Sequence, residues 1–298
     1  MKRTFLACFF ALCSNFLLAQ TQETYFNSSG DQHLAGPFDQ KILQTDSVFK
    51  VWFDSFSKEF QLSGKNTDWK RNLENTEVEI FLGTWCGDSK RWVPQFIQLW
   101  KELGLNQNQL KFIALYDGKE FYKQGPNGEE KGKLIHRVPT FIFKKEGTEY
   151  ARIVEYPIND LETDLAQIAL GFDSKPNYRA ATYLLELFER ESLDSIYKNV
   201  QTHFNEVYRL VSKEKELNTL GYVFQYSNRM PQALLTFEIN SVIFPYSPGI
   251  LNSYGDALLA NGQKERATEI FKRILEIEPT FGNAVEQLKK LSEESKEP

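Results

Sequence analysis

Apolar residues recur along this chain first at mixed periods and then, from Tyr178 onward, at the helical period alone. From Asp46, the residues Val48, Phe49, Trp52, Phe53, Phe56 and Phe60 fall at helical spacing, with Asp46 placed to cap the first turn. Leu62-Ser63-Gly64-Lys65-Asn66 ends that helix. Val78 to Leu82 has the length and composition of a strand, and Gly83-Thr84-Trp85-Cys86 turns it into a second helix. Trp92, Val93, Phe96, Leu99, Trp100 and Leu103 mark that helix's inward stripe, and Gly104 stops it. Leu110 to Tyr116 is a mostly apolar run, as a strand buried on both faces requires. Strand, helix and strand in this order predict a parallel pair with a right-handed crossover. Gly118 to Lys133, with Gly125-Pro126-Asn127-Gly128 inside it, reads as a surface loop. Val138 to Phe143 then predicts a third strand, Lys145 to Thr148 a turn, and Ala151 to Val154 its hairpin partner. Asp160 to Leu170 closes the unit as a helix capped by Gly171.

Beyond that point, Tyr178 to Arg190 and Leu193 to Val211 have amphipathic helical spacing. An internal repeat follows. Leu217, Gly221, Ala233, Phe237 and Pro245 return 34 positions later as Leu251, Gly255, Ala267, Phe271 and Pro279. The period places small residues where two helices cross, aromatics on the second helix and proline at the end. This pattern resembles the tetratricopeptide repeat. Phe281, Ala284, Val285, Leu288 and Leu291 fit a terminal helix that caps the stack.

The N-terminal pattern differs from both. Met1-Lys2-Arg3-Thr4 is basic, Phe5 to Leu18 is an apolar run broken only by Ser14 and Asn15, and Ala19-Gln20 follows. This predicts a secretory signal peptide over residues 1–19, cleaved near Ala19, and hence an exported protein, periplasmic or secreted. The run is too short for a transmembrane segment, which needs about 20 apolar residues. Phe5-Leu6-Ala7-Cys8 faintly resembles a lipoprotein cleavage site, but almost no apolar segment precedes it. Residues 20–45 are polar and Gly/Ser-rich at the start and are expected as a mobile leader.

Composition narrows the function. Hydrophobic residues make up 41% of the chain and charged residues 25%, which excludes global disorder. The net charge of -5 comes with no basic block, so nucleic acid is not an expected partner. Of the three cysteines, Cys8 and Cys13 fall in the predicted signal peptide. A mature chain would keep Cys86 alone, and one thiol forms no internal disulfide. His33 and His203 are isolated in sequence, and no Cys/His pair has metal-ligand spacing, so no metal or cofactor is expected. There is no Gly-rich phosphate loop and no Gly-x-Ser-x-Gly elbow.

Cys86 lies in Thr84-Trp85-Cys86-Gly87-Asp88-Ser89-Lys90, with Pro94 eight residues on and Val138-Pro139-Thr140 downstream. Together these resemble the thioredoxin fold: its redox turn at a strand-to-helix junction, its helix-kinking proline, and its Ile/Val-Pro-Thr. In that family this proline is cis and faces the active-site cysteine. The resemblance covers roughly residues 46–171. It implies an α/β thioredoxin-like domain, joined by a helical connector over 172–213 to an all-α helical-repeat (tetratricopeptide-like) domain over 214–298. It also implies catalytic roles for Cys86, Ser89 and Pro139, with Trp85, Gly87, Val138 and Thr140 against the substrate. Two departures limit the chemistry. Ser89 stands where the family has its second cysteine, and Ile80 stands six residues before Cys86, where the family carries a buried acid.

Cys86 would sit at a helix N-terminus, which favours a thiolate. Lys90 adds positive charge, Ser89 could donate a hydrogen bond to the sulfur, Asp88 opposes both, and His136 could approach and lower the thiol pKa. A thiolate attacks disulfides through a mixed disulfide. With Ser89 in place the chain could capture a partner but not release itself, so dithiol catalysis by this chain alone is excluded. The expected partners are protein thiols or peptides, with the repeat groove available to a protein partner. Two alternatives stand beside this one: a redox-inactive binding or scaffold protein, and a covalent homodimer through Cys86.

Overall fold

The computed structural model of the chain describes residues 23–64, 66–172 and 175–294. The predicted signal peptide, with Cys8 and Cys13, lies outside the described residues. The described residues open with two strands, β1 (Glu23–Phe26) and β2 (Gln32–Phe38), then α1 (Lys41–Thr45) and α2 (Ser47–Ser57). Next come β3 (Glu77–Leu82), α3 (Gly87–Glu102), β4 (Leu110–Ala114), β5 (Thr140–Lys145), β6 (Thr148–Val154) and α4 (Leu161–Ala169). The strands form one six-stranded sheet in the order β1-β2-β4-β3-β5-β6. β3 and β4 pair in parallel around α3, whereas the other neighbours pair antiparallel. The parallel crossover and the β5–β6 hairpin are as the apolar pattern predicts.

The expectation of a mobile leader over 20–45 is corrected from Glu23 onward. Residues 23–38 form a hairpin whose second strand pairs with β4, placing Leu34 and Ala35 in the interior with no exposure. Burial of these apolar residues in a short, otherwise polar segment outweighs its loop-like composition.

Side-chain alternation on β3 sends Val78, Ile80 and Leu82 into one core, where they meet Phe96 and Trp100 of α3 and Phe49 of α2. Asp46 caps α2 by accepting from Val48 N at 2.8 Å. Phe81 faces the other way, into a smaller cluster with Ile113, Leu115, Ile135, Val138 and Ile142. Trp85 and Cys86 pack against that smaller cluster. The segment from Gly118 to Lys133, expected as a surface loop, is drawn inward at Lys123.

The rest of the chain is helical: α5 (Arg179–Arg190), α6 (Leu193–Lys198), α7 (Val200–Leu210), α8 (Glu214–Tyr226) and α9 (Met230–Ile243), then α10 (Pro248–Ala260), α11 (Lys264–Ile277) and α12 (Gly282–Glu294). The 34-residue repeat has a steric cause. A Cβ on Gly221 would lie 2.5 Å from the Phe237 ring, and one on Gly255 would lie 2.8 Å from Phe271. Glycine lets each aromatic of the second helix press onto the backbone of the first. None of the described helices is long and apolar enough to cross a membrane.

The sheet and the helices share buried ties. Val154, at the end of β6, belongs to the helical core. Asn177 Nδ2 donates to the carbonyls of Val154 and Tyr156 at 3.2 and 2.8 Å. Fully buried Glu216 of α8 accepts from Ala180 N and Ala181 N, capping α5 from a distance, and from Ser212 N.

The crossing geometry gives a stability prediction. Gly221→Ala should cost about 1–3 kcal/mol, because the added methyl overpacks against Phe237. Gly249→Ala, whose Cβ would meet nothing within 4 Å, should be neutral or stabilise by up to about 1 kcal/mol through helix propensity. Denaturant midpoints of the two variants test this, and equal midpoints would remove the steric account of the repeat.

Candidate functional site

The turn after β3 is braced from three sides. Thr84 Oγ1 accepts from Leu34 N of β2 at 3.1 Å and lies 3.4 Å from His33 Nδ1. Trp85 Nε1 donates to Leu115 O at 2.8 Å, laying the indole across Gly83 so closely that a Cβ there would meet it at 2.5 Å. Ser89 is fully buried, and its Oγ accepts from Gly83 N at 3.2 Å. Ser89 therefore fastens the turn, and no hydrogen bond joins it to the sulfur.

Cys86 is the N-cap residue of α3 and half-buried. Its Sγ–H donates to the Val138 carbonyl at 3.2 Å, and the Val138–Pro139 bond is cis. The structure thus brings Cys86, Trp85, Val138 and Pro139 together where the end of β3 meets the start of antiparallel β5. Thr140 supports the same loop, its Oγ1 donating to Arg137 O at 2.8 Å. Gly87 is exposed beside the thiol, with open space where a side chain would stand.

Behind this loop lies a buried polar cluster that the sequence pattern does not announce. Lys123 Nζ donates to His136 O at 2.8 Å and stands 4.6 Å from the centre of the Tyr122 ring. Tyr122 packs in turn on Trp85 and, edge-on, on Tyr226 of α8. Arg137 pairs with Glu155 at 3.2 Å, lies 4.4 Å over the Tyr178 ring, and donates to Lys215 O at 2.8 Å. The Tyr178 hydroxyl donates to the other Glu155 oxygen. Lys123, Glu155 and Tyr178 all hold left-handed backbone, with φ of 58°, 65° and 65°. Each costs about 1–2 kcal/mol for a residue with a Cβ, so the surrounding contacts must hold them there.

Burial sets the electrostatics of this cluster. Desolvation, aided by the Arg137 cation, pushes Lys123 down to about 7, while Cys86 and Glu155 oppose the shift. Desolvation also raises Glu155 above the usual carboxylate range, against the pull of Arg137. Tyr122 is pushed up to about 12, again mainly by burial.

His136 lends no positive charge to the thiol. Its ring is buried with neither nitrogen hydrogen-bonded, and desolvation together with Arg137 and Lys123 pushes it down to about 3. A neutral imidazole stacked edge-on against Tyr178 supplies no cation. His33, isolated in sequence, lies beside the Cys86 turn through Thr84, and His203 bonds Tyr183. No cluster of His, Cys, Asp or Glu among the described residues is arranged to hold a metal ion.

One signal in the sequence pointed toward this cluster: Arg137 stands directly before Val138-Pro139. Lys123, Glu155 and Tyr178 carry no local pattern, because elements distant in sequence bury them. The chain matches no known family profile and no curated protein.

The buried imidazole gives a pH prediction. Unfolded, His136 takes its proton near pH 6.5; folded, near pH 3. Between those values only the unfolded chain is protonated there, so the native state loses stability as pH falls through that window. His136→Phe should flatten the slope of unfolding free energy between pH 6.5 and 4.5 by up to about 1.4 kcal/mol per pH unit. Parallel slopes for parent and variant would mean that the folded protein protonates this ring.

Proposed function

We propose that this chain is an exported thiol-handling protein, with a thioredoxin-like α/β half and a tetratricopeptide-like helical half. Cys86 forms a mixed disulfide with a protein partner. The observation that carries this reading is the position of Sγ, at the N-terminus of α3 and on the carbonyl directly before a cis proline. The order β3-α3-β4, then the β5–β6 hairpin and α4, supports the thioredoxin-like assignment. The glycine–phenylalanine crossings at a 34-residue interval support the tetratricopeptide-like one.

The chemistry stops halfway by design of the site. The Cys86 thiolate attacks a partner disulfide, one S–S bond forms as another breaks, and the partner's second sulfur leaves as a thiolate. Ser89 cannot attack the new bond, and Ile80 offers no acid–base group. An outside thiol completes the exchange. A groove of about 600 Å³ lies between Tyr222, Tyr226, Asp256 and Asn283 of the helices and Lys119 and Tyr122 of the sheet half, giving a partner polypeptide a place to rest.

A second reading, a scaffold without chemistry, has one observation in its favour. Pro139 and Val138 are buried, and Arg137 ties the cis-proline loop to the helices, leaving little of that loop free for a substrate backbone. Acid-quenched trapping in the native host separates the two. Parent protein should run as reductant-sensitive adducts with other exported proteins, and Cys86→Ser should lose them. Recovery of the same partners with both proteins, and no adducts with either, would establish the scaffold instead.

A further inference from the structure

Lys123 and Cys86 come to the same loop from different parts of the chain. The lysine amine bonds the His136 carbonyl and the cysteine sulfur bonds the Val138 carbonyl. Carbonyls two residues apart are separated by at most about 7 Å even in fully extended chain. Amine and sulfur therefore lie within about 13 Å of each other on one buried loop, and no hydrogen bond joins them. The centre of the Tyr122 ring lies 4.6 Å from the amine, and the ring packs on Trp85, the residue preceding Cys86. Cys86 is among the charges that act on both Tyr122 and Lys123.

The lysine is also incompletely satisfied as a cation. It is only 4% exposed, its left-handed backbone is held in place, and its one hydrogen-bond acceptor among the described residues is the His136 carbonyl. An ammonium has three protons to place. No carboxylate among the described residues stands within ion-pair distance of it; Glu155 pairs instead with Arg137 and Tyr178. Facing it are the Arg137 cation, neutral His136, Tyr122, Cys86 and, farther off, Glu155. Across a cavity of about 450 Å³, the charged side chains are Glu189, Arg229, Glu130 and Lys131. A buried amine with one acceptor and a neighbouring cation is poised to remain neutral until negative charge appears nearby.

We infer that Lys123 is charge-coupled to Cys86: the protonated amine stabilises the thiolate across the loop they share, and loss of the thiol proton favours its protonation. The thiol gives its proton to solvent and the amine takes one up, leaving a thiolate and an ammonium at the same cis-proline loop. The sulfur lone pair then forms the new S–S bond while the partner's S–S bond breaks. The departing thiolate carries the electron pair away and takes a proton from solvent, with no net oxidation. The inference rests on the reading of Cys86 as a nucleophile. The lowered proton affinity of Lys123 agrees with it: an amine near 7 exchanges protons where an ordinary lysine stays charged.

The test is alkylation of the full chain by iodoacetamide across pH 5.5–10, read by mass spectrometry on the peptide that contains Cys86. Lys123→Met should slow the reaction at pH 7 about tenfold and move the midpoint of the profile up by about one unit. Lys123→Arg, which keeps a cation, should react faster than Lys123→Met at pH 7. Profiles of parent and Lys123→Met that superimpose would overturn the inference. Should Lys123→Met fail to fold, a second measurement decides: the Lys123 ¹³Cε titration in the otherwise native chain. Its midpoint should fall in Cys86→Ser, which removes the thiolate, and an unmoved midpoint would overturn the inference. Alkylation needs no cellular partner, so the two proposals fail separately. A coupled thiol with no trapped adducts defeats the proposed function alone, and adducts without coupling defeat only the role of Lys123.

Discussion

A buried loop must satisfy its carbonyls without water, and the loop from His136 to Pro139 meets that demand with four donors from different places. Lys123 takes the carbonyl of His136, Thr140 that of Arg137, Cys86 that of Val138, and the Glu155 amide that of Pro139. Leaving one buried acceptor unpaired costs about 1–3 kcal/mol. The loop's conformation and the positions of its four donors therefore fix one another. The thiol is placed by the same constraint that places the lysine.

The helices complete that arrangement from outside the sheet. Arg137 reaches Lys215 O, Tyr178 closes on Glu155, and Asn177 holds the chain where β6 ends. The Arg137–Glu155 pair is largely desolvated, so removing either partner would strand a buried charge. Glu216 then holds the start of α5 to α8, so that Tyr178 arrives from a fixed direction. Burial under these helices lowers the proton affinity of Lys123 and His136. In this way the helical half sets the proton affinities of groups behind a thiol that belongs to the sheet half.

What the sequence reveals depends on whether a feature is local. The helix stripe from Trp92 to Leu103, the turn at Trp85-Cys86-Gly87 and the Gly221/Phe237 and Gly255/Phe271 pairs all follow from spacing within a few dozen residues. The hairpin at residues 23–38 was hidden because its buried residues, Leu34 and Ala35 among them, are few and set among polar ones. Lys123 was hidden for a different reason. It sits beside Gly125-Pro126-Asn127-Gly128, a composition that signals a surface turn, yet Gln124 bonds Tyr226 O about a hundred positions away and draws the segment under α8. Ser89 and His136 were legible as neighbours of Cys86 but not in their roles, since both were settled by which buried groups stood within reach.

The central claim is that the cis-proline loop joins the two halves into one structural unit. Native-state hydrogen exchange tests it most directly, through two amides on either side of the junction. Glu155 N bonds Pro139 O in the sheet half, and Ala180 N bonds Glu216 in the helical half. The account predicts that both exchange through the same opening, with one free energy and one dependence on denaturant. Exchange of Ala180 through an opening that leaves Glu155 protected would contradict it.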